Sequence, residues 1–441
     1  MNIKRDSYIE ELRKSIGNGM IKVITGPRRS GKSYLLDPLF TDWLLEHGIP
    51  KERIFRIDLS DDTSAVLRNP IRLGERLRTI LPKDGPAFLF LDEIQNCEPV
   101  ENPAFQGLKT ADGSKPVITF YDVLNGLLSS HKEVEVFVTG SNSHLLSSDI
   151  ATEFRGRDWQ IPMHPLTYAE FLSAHEGEGD DLDLWQQYYL YGGLPRVSTI
   201  SDIPGKRNYL QSVFSTTYLK DIVDRYSLRG EASLEKLTRY LASVVGSSVN
   251  PTIISNTLRS KEGFRIAPET IKNYIDHLKD AFLLSEAERY NLRGKERLGA
   301  SSKYYFEDLG LRNAATNFTD CDQEPHYMEN VIYNELISRG YKVSVGNIAS
   351  YSQANGKTER RNYEIDFVAD DGGRKVYIQS ALYIQDKDKM DQERKPLLLL
   401  GGGFKKVLIT KISGTGLYDE DGILHLNLFR FLKDRNSLKD R

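Results

Sequence analysis

Three groups of residues have the types and spacing needed to handle a triphosphate. In Gly26-Pro27-Arg28-Arg29-Ser30-Gly31-Lys32-Ser33, followed by Tyr34, two glycines frame a short polar loop and a lysine-serine pair closes it. Glycines at those positions let backbone N–H groups curl around phosphates. Lys32 would then reach the β- and γ-phosphates, and the Ser33 hydroxyl would ligate magnesium. The whole stretch from Gly26 to Tyr34 becomes the candidate ATP-binding surface. The second group is Asp92-Glu93, which closes the apolar run Phe88-Leu89-Phe90-Leu91. Asp92 would hold magnesium and Glu93 would polarise the attacking water. The third group is looser. Asn142 follows the run Val134 to Gly140 and could contact the γ-phosphate and the water. Arg157, with Arg155 second to it, could supply a guanidinium for charge that spreads over the phosphoryl oxygens.

These residues need elements that hold them. Ile21, Val23 and Ile24 precede the glycine loop, and Tyr34, Leu35, Leu36 and Leu39 follow it with helical spacing, so the order is strand, loop, helix. The continuous apolar run before Asp92 suits a parallel strand covered on both faces. An α/β protein with a parallel sheet is expected. At 441 residues the chain is long enough for two or three domains. With 59 basic and 62 acidic residues, net charge −3, no global field draws it to nucleic acid or to an anionic membrane, so any such binding needs a local patch. Two distant cysteines, Cys97 and Cys321, indicate neither a disulfide framework nor zinc, and a reducing cytoplasm fits best. No segment reads as a signal peptide or a membrane span.

The residues also carry a resemblance. The glycine loop, Asp92-Glu93, Thr139-Gly140-Ser141-Asn142, Phe154-Arg155-Gly156-Arg157, Pro165-Leu166-Thr167-Tyr168-Ala169-Glu170-Phe171 and Tyr191-Gly192-Gly193-Leu194-Pro195 occur in this order. The chain resembles the prokaryotic AAA-type P-loop ATPases that carry a conserved, poorly characterised C-terminal domain. The resemblance implies a sheet of the additional-strand type over residues 1–165, a helical lid over 166–228, a winged helix-turn-helix over 229–305 and a degenerate restriction-endonuclease-like α/β domain over 306–441. The stretch 98–116, rich in Gly, Pro and polar residues, reads as an inserted surface loop.

In the middle segment, Leu234, Leu237, Tyr240, Leu241 and Val244 recur at helical spacing, Asn250-Pro251 reads as a cap and first turn, and Pro268 opens a third helix. There Ile271, Tyr274, Ile275, Leu278 and Phe282 form the stripe to be buried, leaving Lys272, Asn273, His277 and Lys279 outward. Phe282-Leu283-Leu284 and Arg289-Tyr290-Asn291 are expected to flank a reversal, with Lys303-Tyr304-Tyr305-Phe306 as a further strand. Residues 229–300 hold twelve Lys or Arg against nine Asp or Glu. The outward face could sit in a DNA groove, or the module could serve as a packing platform.

The C-terminal segment reads helix (Glu329 to Ile337), strand (Tyr363 to Val368), turn, strand (Lys375 to Gln379). It is similar to the restriction-endonuclease-like core, in which a helix Glu, a strand Asp and a Glu-x-Lys surround magnesium. Glu329 and Asp366 match, but Gln379-Ser380-Ala381 stands in place of Glu-x-Lys, with Lys387 or Lys389 the nearest substitutes. A non-catalytic domain is expected. The whole reads as a magnesium-dependent ATP hydrolase, DNA-associated and homo-oligomeric. The alternative is a slow nucleotide-dependent switch that regulates a protein partner without nucleic acid.

Overall fold

The computed structural model describes residues 3–105, 109, 115–141, 153–154, 156–228, 230–292, 296–354, 357–401 and 403–439. They form two compact units, one of residues 4–164 with 280–282, the other of residues 1–3, 165–279 and 283–441.

In the first unit, five parallel strands make one sheet: β1 (Ile21–Thr25), β2 (Ile54–Asp58), β3 (Ala87–Asp92), β4 (Val134–Gly140) and β5 (Asp158–Pro162). Their order is β2-β3-β4-β1-β5, so β4 stands between the strand before the glycine loop and the acidic strand. Period-two alternation divides the side chains between two cores. Ile21, Val23, Leu89, Leu91, Val136 and Val138 pack with Leu73, Leu77, Val123 and Leu124 of the helices Pro70–Ile80 and Phe120–Ser130. Ile24, Phe88, Phe90 and Phe137 face the other way, onto Leu12, Leu35, Leu36, Phe40 and Leu44. A sheet buried on both faces exposes chemistry only at its strand ends, and the glycine loop, Asp92-Glu93 and Ser141 all follow the C-terminal ends.

The second unit is built on a nine-stranded sheet. Its spatial order is Leu417–Tyr418, Ile423–Asn427, Lys405–Thr410, Lys375–Ala381, Lys357–Asp370, Lys342–Ala354, Leu284–Asn291, Glu296–Phe306 and Ser248–Val249. Helices Glu231–Ser243 and Pro251–Glu262 belong to the same unit, as does Pro268–Asp280 apart from its last residue. Asn250 caps the second through its side chain, which accepts from the Ile253 N–H at 2.8 Å. The reversal expected between Leu284 and Arg289 lies later. Leu284–Asn291 is one strand, paired antiparallel with Glu296–Phe306, and Val345 to Asn347 add to it in parallel at Arg289 to Asn291. The expected division at residue 305 therefore falls inside one continuous sheet. The segment 166–228, expected as a lid, groups by its contacts with this unit. Among the described residues no helix is long and apolar enough to cross a membrane.

The Tyr191-Gly192-Gly193 motif is bonded to the Pro165 motif through Leu166 and to Asp308. The Gly193 N–H donates to Asp308 Oδ2 at 2.7 Å, and Asp308 Oδ1 caps the helix Leu309–Ala315 by accepting from Leu311 at 3.0 Å. Leu166 donates its N–H to the Gly193 carbonyl at 2.8 Å. A β-carbon on Gly193 would lie 2.4 Å from the Leu166 carbonyl oxygen, and one on Gly192, at φ +75°, would lie 2.2 Å from Asp308 Oδ1, so neither position tolerates a side chain. Burial pushes Asp308 up to about 6, against the backbone donors that pull it down. Asp308→Ala should lower stability by about 3 kcal/mol, because it leaves a buried N–H and a helix cap unpaired. The folded carboxyl keeps its proton longer than the unfolded one. Its contribution is therefore full below pH ~4 and lost as pH rises through ~6, roughly 3 kcal/mol in all. Urea unfolding across that window checks both points, since Asp308→Asn should flatten this part of the slope.

Candidate functional site

The glycine loop is held by its neighbours as well as by its own sequence. Gly26 has φ +142°, and a β-carbon there would sit 1.9 Å from the Met163 carbonyl oxygen, because β5 continues past Thr25 with Met163 donating its N–H to the Thr25 carbonyl at 2.7 Å. Arg29 at φ +66° and Gly31 at φ +97° complete the curl into the helix that begins at Lys32. Lys32 is only 5% exposed. Its ammonium donates to the Gly26 and Pro27 carbonyls at 2.9 and 2.8 Å. Burial pulls it down to about 8, while the charges of Glu93 and Asp92 pull it up and Arg28 pushes it down. Beside it, the buried hydroxyls of Thr25 and Ser30 have no hydrogen-bond partner among the described residues. A buried ammonium, an unpaired Ser30 hydroxyl and a glycine curl at a helix start fit an anionic ligand. Tyr34 is exposed at the outer end of the loop.

Asp92 and Glu93 are tied to β4. The Thr139 hydroxyl donates to Asp92 Oδ1 and accepts the Glu93 N–H at 3.1 Å. Glu93 is left-handed at φ +53°, which turns its side chain out of the strand direction. Its Oε2 accepts from Gln95 Nε2 and, at 3.2 Å, from the Ser141 hydroxyl, while Gln95 Nε2 also donates to Ser141 Oγ at 3.2 Å. Sequence reading singled out neither Thr139 nor Gln95 nor Ser141 as a partner of the carboxylates. Strand adjacency of β3 and β4 was the missing signal. Asn142 and Arg155 lie outside the described residues. Arg157 is exposed and stands just before β5, whose first residue pairs with Ile21, the first of β1. It sits at the N-terminal edge of the sheet and the glycine loop at the C-terminal edge, with about 13 Å of strand between them. Its side chain does not join the Lys32, Asp92 and Glu93 cluster of its own chain.

In the second unit, Glu329 and Asp366 line one cleft of about 720 Å³ with Gln379, Ser380, Lys389 and Glu393. Lys303 is the cation paired with Glu329. Its ammonium lies 2.8 Å from Glu329 Oε1 and 2.8 Å from Glu364 Oε1, and the Tyr305 hydroxyl donates to Glu329 at 2.6 Å. Burial first, and then the Glu329 charge, pushes Asp366 up to about 7, with Lys303 opposing. Lys389 is spent on Glu393 at 2.6 Å. Among the described residues no three His, Cys, Asp or Glu side chains are grouped to hold a metal. A fixed ammonium between Glu329 and Glu364 already balances charge that a magnesium ion would otherwise meet.

The helix Pro268–Asp280 buries Ile271, Tyr274, Ile275 and Leu278 as its spacing requires, with Lys272 and Asn273 exposed. His277 and Lys279, expected to face outward, are engaged within the unit. The His277 ring stacks on Tyr226 at 3.6 Å, and Lys279 pairs with Glu286 at 2.6 Å.

A parallel sheet with a strand inserted between the loop strand and the acidic strand, and a buried lysine facing two carboxylates, defines a P-loop ATPase domain of the AAA type. The chain belongs to a family with that domain. The model described as an AAA domain matches residues 18–172, and one described as a domain of unknown function (DUF8612) matches 182–322. An uncharacterized protein of Haemophilus influenzae is 32% identical over 412 residues, 92% of this chain and 93% of its own. One of Methanocaldococcus jannaschii is 27% identical over 383 residues, 84% and 76% of the two chains. Among solved structures, the Walker-type ATPase of Pyrococcus abyssi covers 71% of this chain and 96% of its own at 13% identity, with a TM-score of 0.48.

Lys303→Met should destabilise the second unit by about 3 to 5 kcal/mol, since it leaves Glu329 buried without a counter-charge. Thermal unfolding should show part of that loss recovered when Glu329→Gln is added, because the uncompensated charge is then gone.

Proposed function

We propose that the protein is a magnesium-dependent ATP hydrolase, and the observation that carries this reading is the buried Lys32 ammonium held in the glycine curl, within electrostatic reach of Asp92 and Glu93 at the C-terminal edge of one sheet. Backbone N–H groups from Gly26 to Tyr34 would bind the phosphates, and Lys32 would leave its two carbonyl partners for the β- and γ-phosphates. Ser33 and Asp92 would hold magnesium, which when bound offsets phosphate charge. Glu93 would take a proton from water as the water oxygen bonds to the γ-phosphorus and the bond to the β-phosphate oxygen breaks, releasing ADP. Asn142 is proposed to steady the water. Arg157 is proposed to serve a neighbouring copy, a reading supported by its place at the sheet edge opposite its own loop.

DNA is the first partner reading, through Lys272, Asn273 and the basic residues Arg259 and Lys261 of the preceding helix. The second reading is a nucleotide switch that docks a protein, favoured at this helix by the engagement of His277 and Lys279 within the unit. Turnover stimulated by DNA and weakened by salt would support the first. Turnover indifferent to DNA would support the second.

Lys32→Ala should abolish measurable turnover, and Glu93→Gln should keep ATP binding while hydrolysis falls at least about 100-fold. Hydrolysis at the normal rate in Glu93→Gln would remove Glu93 from its role. Because the free-state ammonium is pulled down to about 8 and phosphates favour its charged form, ATP affinity should hold below pH ~7.5. Above pH ~8.5 it should weaken by roughly tenfold per pH unit. Calorimetry in buffers of different ionisation enthalpy should register proton uptake on binding in that range. If Arg157 acts across an interface, mixing Arg157→Ala with Lys32→Ala protein should restore turnover that neither has alone. Such a guanidinium contributes about 10³-fold or more, which makes even partial rescue measurable.

A further inference from the structure

We propose that Gln95 is a positioning residue, which with Ser141 locks the Glu93 carboxylate so that one oxygen is held and the other is presented to the attacking water. The inference rests on the reading of Glu93 as the catalytic base.

The lock is a closed triangle. A serine hydroxyl has a single proton, and Ser141 gives it to Glu93 Oε2 at 3.2 Å. Its lone pairs then accept the Gln95 amide at 3.2 Å, and the same amide nitrogen donates to Glu93 Oε2. Both bonds to the carboxylate land on Oε2. The orientation of the Gln95 amide follows from these partners, because a flipped amide would set its oxygen against the carboxylate oxygen and against a hydroxyl with no proton left. That orientation has a cost. Gln95 Oε1 is buried and has no hydrogen-bond partner among the described residues. An orphaned buried acceptor is unfavourable by about 1 to 3 kcal/mol, so folding alone would be served as well by an apolar side chain. The feature is explained by what the amide nitrogen does for Glu93.

The backbone beneath is fixed in the same sense. Glu93 holds a left-handed conformation at φ +53°, its N–H is fixed to Thr139 Oγ1 at 3.1 Å, and the short turn Ile94–Asn96 carries Gln95 back beside it. Main-chain and side-chain orientation of Glu93 are thus set by two different residues of the neighbouring strand end, Thr139 and Ser141, with Gln95 closing the set. A general base works through orientation as much as through basicity, and a carboxylate free to rotate loses much of that advantage.

The test is steady-state hydrolysis of ATP by the full chain. Gln95→Ala and Gln95→Leu should each lower kcat about tenfold while KM and ATP affinity stay within about twofold, and Ser141→Ala should lower kcat less, with Ser141→Thr restoring it. Both Gln95 variants should melt within about 2 °C of the parent, since the orphaned acceptor leaves with the side chain. In a Glu93→Gln background, Gln95→Ala should change the residual rate less than about twofold, because its effect passes through Glu93. An unchanged kcat in Gln95→Ala, a parallel rise in KM, or an equal fall in the Glu93→Gln background would overturn the inference. If Glu93→Gln itself hydrolyses normally, the base assignment fails first. If Glu93→Gln is silent and the Gln95 variants are normal, only the lock fails.

Discussion

The first unit depends on keeping one ammonium group out of water. Lys32 loses most of its hydration on folding, and two backbone carbonyls with two nearby carboxylates make up only part of what water supplied. Everything around it serves that arrangement. Gly26 lets the chain pass against the Met163 carbonyl, and the inserted β4 strand brings Thr139 beside Asp92 and Glu93. On the proposed reading, polyphosphate oxygens would replace those carbonyls and relieve the desolvation at once.

The second unit meets the same constraint with the roles reversed. There the carboxylates Glu329 and Asp366 are withdrawn from water, and Lys303 of the strand Glu296–Phe306 supplies compensating charge. Lys303 is part of the chain itself, so the balance it gives Glu329 is permanent. The replacement of Glu-x-Lys by Gln379-Ser380-Ala381 agrees with this. Ser380 donates both its N–H and its hydroxyl to Asp366 Oδ2, at 2.9 and 2.8 Å, which fixes the orientation of that carboxyl.

Local chemistry was legible in the sequence where it depends on neighbours in the chain. The Asn250-Pro251 cap and the stripe Ile271, Tyr274, Ile275 and Leu278 could be read because capping and the 3.6-residue period act within a few residues. The glycine curl and the apolar acidic strand were legible for the same reason. What escaped depends on distance. Gln95 and Ser141 meet across 46 residues and Gly193 and Asp308 across 115, and no spacing rule encodes such pairs. Lys342–Ala354 escaped for another reason. Its run of Ser, Gly, Asn and Gln hides a strand that is held by partners on both sides.

That strand bears on how the second unit can change over evolutionary time. The pair Leu284–Asn291 and Glu296–Phe306 has one edge against Ser248–Val249 and the other against Lys342–Ala354, so the three-helix part and the Glu329 cleft share one uninterrupted ladder. Cutting it at residue 305 would leave Lys342–Ala354 with a bare edge open to any passing strand. A recombination event that separated the two parts would therefore have to cover that edge anew, or it would produce an adhesive fragment in place of a portable module.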